Sequence, residues 1–448
     1  MTKVIAPRRM APARSLWGAA VCALLFFASH AQAQGVFLTG VGPINQSMGG
    51  AGTAAPLDSI GALNWNPASI SGLRNNEMGF GLGLVLPTET LSSSVNPGAL
   101  GGGFPPVRLA GSSGGEPGVM PAPTIGFVQR APNSQWSYGL GIFGVGGFAA
   151  NYASSPTNPI LSPQAPLGVG AGSIYSQAAI YQIVPTVSYA VNDNLSFGFA
   201  PMITMAQVFM TPLTLAPPND ANHDGFYSYG PGNATRFAWG GGFQVGTYYI
   251  SDSKVHFGVS VKSPQWMEPF RYNSVDELGQ PVVQKVNFNL PTIVSLGTAY
   301  SGFQRTVLAL DVRYWDYGNA LGFNGGGFLP NGAVGGLGWR SVWSVSTGAQ
   351  YDLTQRFTVR AGYTYGANPV PSSLTMLNVA SSLINQNWLS MGASWRFTQR
   401  VVATLAYTHG FQNSITGPFL VPAGAIPGTS VTSTISSDIL NGGLTVLF

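Results

Sequence analysis

Through most of this chain, apolar residues alternate one for one with glycine and small polar residues. Met78, Phe80, Leu82, Leu84 and Leu86 are interleaved with Glu77, Gly79, Gly81 and Gly83. A strand turns successive side chains to opposite faces, so such a segment has one apolar face and one small or polar face. The pattern returns in Tyr181, Ile183, Val187 and Tyr189, in Leu195, Phe197, Phe199, Ile203 and Met205, and in Phe237, Trp239, Phe243 and Val245. It continues in Val255, Phe257, Val259 and Val261, in Leu308, Leu310, Val312 and Tyr314, and in Phe357, Val359, Ala361, Tyr363 and Tyr365. None of these apolar-phase positions is charged.

Strands are predicted near 76–88, 122–131, 135–148, 176–192, 195–208, 236–250, 255–264, 285–300, 305–317, 340–352, 356–366, 386–398, 401–411 and 434–448, fourteen in all. Short turns (Pro132–Ser134, Asp193, Ser251–Lys254, Ser301–Gln304, Leu353–Gln355, Gln399) alternate with seven loops of roughly 20 to 33 residues. An even strand count, with short turns on one side and long loops on the other, is the pattern of outer-membrane barrels. The last segment, Leu440, Gly442, Leu444, Val446 and Phe448, is itself an alternating strand with a terminal aromatic residue.

Composition sharpens this. Charged residues make up 8% of the chain, against about 25% in ordinary soluble domains. Beyond the N-terminal region no run of eighteen apolar residues occurs. A low-charge chain without apolar helices crosses a membrane only as a closed β-barrel. A soluble sandwich would need a charged exterior, and the second face here is mostly Gly, Ser, Thr, Asn and Gln. The fold class expected is all-β: a 14-stranded antiparallel transmembrane β-barrel.

Residues 1–33 read as a signal peptide, with Lys3, Arg8, Arg9 and Arg14, an apolar run from Leu16 to Ala28, and a cleavage site at Ala31-Gln32-Ala33. Four of the 19 basic residues fall there, leaving 15 basic and 15 acidic. The net positive charge therefore belongs to the leader and gives no argument for nucleic acid. Cys22 is the only cysteine, so the exported chain would have no thiol chemistry.

One stretch departs from the alternation. Gly40 to Leu73 has neither period-2 nor helical patterning and holds a single charge, Asp58. Its small residues suit close packing against a wall, but it has too little apolar surface for its own core. Fourteen strands enclose more space than their side chains fill, since about eight is the limit for a filled barrel. Residues 34–75 are therefore expected to plug the lumen, and 76–448 to form the wall.

Within that stretch, NQSMGGAGTA and NWNPASISGL, with Gly49, Gly50, Gly52, Asn66, Pro67 and Ala68, resemble the N-terminal hatch of the FadL/TodX (OmpP1) family. Val359 to Tyr365 with Asn368 to Pro371 resembles its late RAGY strand and proline-containing loop. The resemblance implies passive uptake of hydrophobic molecules, such as long-chain fatty acids or aromatic hydrocarbons, in the outer membrane of a Gram-negative bacterium. It also implies no cofactor, and capture by extracellular loops followed by exit past the hatch or through the wall.

The residues themselves offer little other chemistry. His223, His256 and His409 sit in no catalytic motif, with His256 and His409 read on the lumen phase where they can be placed, and no cluster has metal-ligand spacing. The chain is not expected to be an enzyme. A general or hydrophilic-solute porin is the alternative, but such pores set rows of opposed charges across the lumen. The long loops are instead apolar, and Phe209, Met210, Leu213, Trp266, Met267 and Phe270 are candidates for a capture groove. Arg313, Arg360 and Arg396 are candidate lumen cations, each open to pairing with a lumen acid or a hatch carbonyl. Pro185 should face Pro201 across a hairpin, and Gly144, Gly146 and Gly147 break the alternation of the third strand. The family's third strand carries an inward kink, so a lateral gap is expected between 143–148 and 183–186. Further expected partners are outer-membrane lipids and lipopolysaccharide, and the barrel assembly machinery through the strand ending in Phe448. The protein is expected to be a monomer.

Overall fold

The structure is a computed structural model describing residues 34–101, 107–234 and 236–448. The leader read at 1–33 lies outside the described residues. The wall strands are β1 (Glu77–Val95), β2 (Met120–Arg130), β3 (Trp136–Tyr152), β4 (Ile174–Ala190), β5 (Leu195–Thr211), β6 (Ala238–Ile250) and β7 (Val255–Lys262). They continue as β8 (Ile293–Tyr300), β9 (Thr306–Trp315), β10 (Val342–Asp352), β11 (Phe357–Gly366), β12 (Asn387–Arg396), β13 (Val401–Val421) and β14 (Gly424–Leu447). Each pairs antiparallel with its sequence neighbours, and β14 closes on β1 from Glu77↔Leu447 to Val95↔Thr429. The result is a closed 14-stranded barrel, the architecture expected from the alternation.

Three stretches differ most from expectation, the first being β1, which runs on to Val95 with Leu109–Gly114 paired beside it. The last long loop is instead a ribbon, with β13 and β14 paired as far as Val421↔Gly424, across register shifts at Gly410/Asn413 and Gly417/Phe419. Its Ser/Thr-rich sequence hid the strand, because above the bilayer both faces of a strand can be polar. The segment 285–300 is divided: Pro281–Val286 joins Phe270–Val275 and Asn233–Ala234 in a small separate sheet, and the wall strand begins at Ile293.

The short turns are closed by side chains that satisfy several backbone donors. Thr354 Oγ1 accepts from Arg356 N and Phe357 N at 3.1 and 3.0 Å, and Thr398 Oγ1 accepts from Arg400 N and Val401 N at the same distances. Both turns read Thr-Gln-Arg, a turn chemistry visible in sequence. At the seam, Phe448 N donates to Asn76 O, and the Phe448 ring stacks on Phe127.

Apolar-phase residues such as Phe80, Leu82, Phe197, Phe257, Leu308 and Tyr363 are exposed, as a lipid-facing surface requires. The opposite phase is buried against residues 34–75, which lie in the lumen. This plug forms α1 (Pro43–Ser47), α2 (Ser59–Trp65) and a 3₁₀ turn (Pro67–Gly72). Asp58 caps α2 through Gly61 N, and Asn66 caps the 3₁₀ turn through Ala68 N.

Inward-facing glycines let the plug touch wall backbone directly. A Cβ on Gly362 would lie 2.1 Å from Gly49 N, and one on Gly258 would lie 2.2 Å from Thr53 O. Glycine alternation in these strands thus marks the plug's seat as well as the polar face. Replacing Gly362 with valine should leave a heat-modifiable barrel on gel electrophoresis, yet speed amide exchange across residues 47–53 and raise single-channel conductance. Wild-type exchange in that segment would show that the contact tolerates a side chain.

Candidate functional site: the plug seat and the lumen

Inside a strand, residues two apart share a face, so Asp311 and Arg313 of β9 both point inward while Leu310 and Val312 point out. The Asp311 carboxylate accepts from Gly52 N (2.8 Å), Thr53 N (2.9 Å) and Thr53 Oγ1 (2.8 Å). Arg313 donates to Gly50 O (2.7 Å), to Ser346 Oγ (3.3 Å) and to Asp311, and its guanidinium lies 3.5 Å from the Trp65 ring centroid. Both charges are buried. The pair therefore binds the Gly-rich turn of the plug from the wall.

The Asn-Pro-Ala triplet has a structural role. Asn66 Nδ2 donates to Thr53 O and to Thr247 O of β6, both at 2.9 Å, while Oδ1 accepts from Ala68 N. Pro67 occupies the first position of the 3₁₀ turn, where its missing N–H leaves no partner wanting. A Cβ on Gly198 would lie 2.2 Å from Ala68 N, which puts Ala68 against β5. Gln244 Nε2 holds Asn64 O and Trp65 O.

The three candidate cations have separate roles. Arg313 holds the plug. Arg360 donates to Gln350 Oε1 and Ser394 Oγ at the periplasmic end. Arg396 donates to Gln399 O, beside a cavity of about 570 Å³ that it lines with Arg360, Arg305, Arg356 and Asp58. Lys262, buried and bonded to Asn64 Oδ1 at 3.1 Å, is a further interior cation. His256 sits between Tyr248 OH (2.7 Å) and Ser301 Oγ (2.9 Å), with a hydroxyl in place of a carboxylate at Nδ1. His409 pairs with Asp438 at 2.7 Å on the outward phase of β13, not the lumen phase. Among the described residues no group of three or more His, Cys, Asp or Glu could hold a metal ion.

The wall discontinuity lies on a different seam from the one expected. β3 and β4 stay paired from Trp136↔Tyr189 to Tyr152↔Ile174, with one bulge between Gly144 and Gly146, and Pro185 sits opposite Leu140 within that ladder. The β2–β3 ladder, however, ends at Thr124↔Phe143. Above it, Val145 O accepts from Leu38 N and Gly147 N donates to Val36 O, both at 3.0 Å. The extra residue of the bulge turns these groups inward to the plug, and Pro121 and Pro123 offer no N–H from β2. Pro185 does face Pro201, and there the β4–β5 register stops at Ile183↔Ile203 and resumes at Val187↔Phe199. Two opposed prolines remove one pair of ladder bonds, a defect separate from the glycine bulge.

The six groove candidates also divide. Met210, Leu213 and Phe270 are buried in one apolar cluster with Ile60, Leu63, Trp65, Phe143, Met202 and Trp315, and Met267 packs against it. Phe209 lies on the outward phase of β5, and Trp266 is 55% exposed.

Two outcomes follow for the seat. Asp311→Ala leaves Arg313 buried without its carboxylate and should cost about 3–5 kcal/mol. Calorimetric unfolding of the variant would show this, and Asp311→Asn, which keeps an acceptor for Gly52 N and Thr53 N, should lose less. Burial, with Glu77 beside it, pushes the Asp58 carboxyl up to about 7 against the opposing pull of Arg360. A raised acid pKa means the seated plug binds more protons than the released chain, so this contribution is full below about 4 and lost as pH rises through about 7. Relative to the intrinsic exchange rate at each pH, protection in residues 58–66 should fall between about pH 4 and pH 7, and Asp58→Asn, which retains the cap, should flatten that dependence.

Comparison with known proteins agrees with this architecture. Residues 24–418 match the family described as outer membrane protein transport protein (OMPP1/FadL/TodX). Outer membrane protein P1 of Haemophilus influenzae is 23% identical over 256 residues, 54% of this chain and 51% of that protein, so the chain spans about half the length of that relative. Among solved structures, the toluene transporter TodX of Pseudomonas putida superposes with a TM-score of 0.67 at 17% identity, covering 92% of this chain and 99% of that one. A FadL homologue of Pseudomonas aeruginosa gives 0.68 at 15% identity, covering 92% and 100%. The toluene transporter TbuX of Ralstonia pickettii gives 0.64 at 17%, covering 92% and 99%. With its plugged 14-stranded wall and a match across most of its length, the chain belongs to the OMPP1/FadL/TodX family of outer-membrane transport proteins.

Proposed function

We propose that this barrel takes up hydrophobic small molecules of the fatty-acid or aromatic-hydrocarbon kind by passive diffusion. One observation carries the reading: a continuous apolar cluster joins extracellular loop residues (Leu213, Phe270, Phe323), the inner wall at β3 to β5 (Phe143, Ile180, Met202, Met210) and the plug (Ile60, Leu63, Trp65). An apolar solute can exchange contacts along such a surface without losing its transfer free energy to water. A hydrophilic pore would need opposed charged rows, whereas Asp311 and Arg313 are engaged by the plug. The toluene transporters among the solved relatives support an apolar cargo.

In this reading Met210, Leu213, Met267 and Phe270 form the loading end. Phe209 and Trp266 face outward, where they can meet outer-membrane lipid or lipopolysaccharide. Gly144, Gly146 and Gly147 allow the inward turn of β3, and the unpaired stretch between β2 and β3 serves as a lateral exit, with Pro185 as a second weak point. Arg396 is the lumen cation best placed to meet an anionic head at the periplasmic mouth. The strand ending in Phe448 serves recognition by the assembly machinery, and the barrel works as a monomer.

Reconstituted in liposomes, Leu213→Ala with Phe270→Ala should slow toluene or oleate uptake by at least about tenfold, since each buried large apolar group contributes about 1.5–3 kcal/mol. Uptake of every apolar solute at the wild-type rate would assign these residues to loop packing alone.

A further inference from the structure

Where β2 and β3 separate, the lumen holds a cavity of about 60 Å³. Met120 lines it from one side of the seam, and Gly147, Phe148 and Ala149 line it from the other, with Phe37, Trp388 and Ile439 adding apolar surface. The volume holds a few water-sized groups, enough to seat the polar head of a ligand and the start of its apolar body.

Its polar lining is unusual. Both side-chain amide atoms of Gln34 and Thr39 Oγ1 are buried without a hydrogen-bond partner, as is Glu89 Oε2, beside whose carboxylate stands the Tyr152 hydroxyl. Gln34, Thr39 and Glu89 are 3%, 2% and 4% exposed. No Lys, Arg or His lines the cavity, so Glu89 is its one ionisable side chain. Buried polar atoms in native structures are normally paired, and four of them converging on one apolar cavity want a partner.

We propose that this cavity is a recognition pocket for hydrophobic molecules carrying a neutral hydroxyl, and that Glu89 makes it select against carboxylates. This rests on the transport reading above. A hydroxyl both donates and accepts, so it can donate to Glu89 and accept from the Gln34 amide while its apolar body lies against Phe37, Phe148 and Met120. An ionised carboxylate would meet Glu89 with no cation in the lining to offset the repulsion. A ligand without polar atoms would leave all four groups unsatisfied.

Binding of 4-hexylphenol, hexylbenzene and 4-hexylbenzoate to the purified protein at pH 8, corrected for protein-free micelles, tests this. The phenol should bind about tenfold tighter than hexylbenzene, as a hydrogen bond to a charged group provides, and the benzoate should bind more weakly than either. Glu89→Leu should abolish the phenol preference. Glu89→Gln should increase benzoate affinity, a gain that misfolding cannot produce. Equal affinities for the phenol and hexylbenzene, or no benzoate gain in Glu89→Gln, would overturn the pocket while leaving apolar transport standing. Absence of binding by all three would overturn the transport reading and the pocket together.

Discussion

The structure depends on the bond between the Asp311–Arg313 pair and a turn of backbone, Gly50 to Thr53. A fourteen-stranded wall leaves a lumen that must be filled, and the filling segment has too few large apolar residues to hold itself there. Charged groups on the wall supply what burial alone does not, but burying them carries a heavy desolvation cost. That cost is offset in part, because Asp311 Oδ2 accepts from three plug donors and Arg313 meets a plug carbonyl, Ser346 and the Trp65 ring, while Asp311 Oδ1 and Arg313 Nε stay without a hydrogen-bond partner. The arrangement works only while the plug is seated, which couples the wall's electrostatics to the state of the lumen.

The lumen is divided in chemistry around this seat. The apolar cluster covers the inner wall of β3 to β5 and continues into the loops, whereas Arg305, Arg356, Arg360 and Arg396 gather with Asp58 around the periplasmic cavity. An apolar solute moving along the first region meets the plug before it meets the second. The β3 bulge lies at that meeting point, where Val36 to Leu38 take up the backbone groups released from β2. The plug's leading segment thereby acts as a partial substitute for a missing neighbour strand, and it can do so only because Gly146 lets backbone approach backbone.

Much of this was legible in the sequence. Period-2 alternation with uncharged apolar phases is dictated by lipid outside and a pleated strand's geometry, so strand number, closure and the lipid face could be read residue by residue. The Gly-rich segment was recognisable as a filler because it could form no core of its own. Even the opposed Pro185 and Pro201 followed from counting residues around a two-residue-period hairpin.

Other features required the folded chain. The glycines in the inward phase look like generic small residues until the plug is seen lying on them. Asp311 and Arg313 share a face by spacing, but nothing local says that their partners are Gly50, Gly52 and Thr53, some 260 residues earlier. The discontinuity beside β3 was visible as a glycine-rich break, yet its side was not, because a bulge frees groups whose new partners come from elsewhere in the chain. Register along a strand is a local property; which of two neighbours loses its ladder, and what replaces it, is decided by everything packed in the lumen.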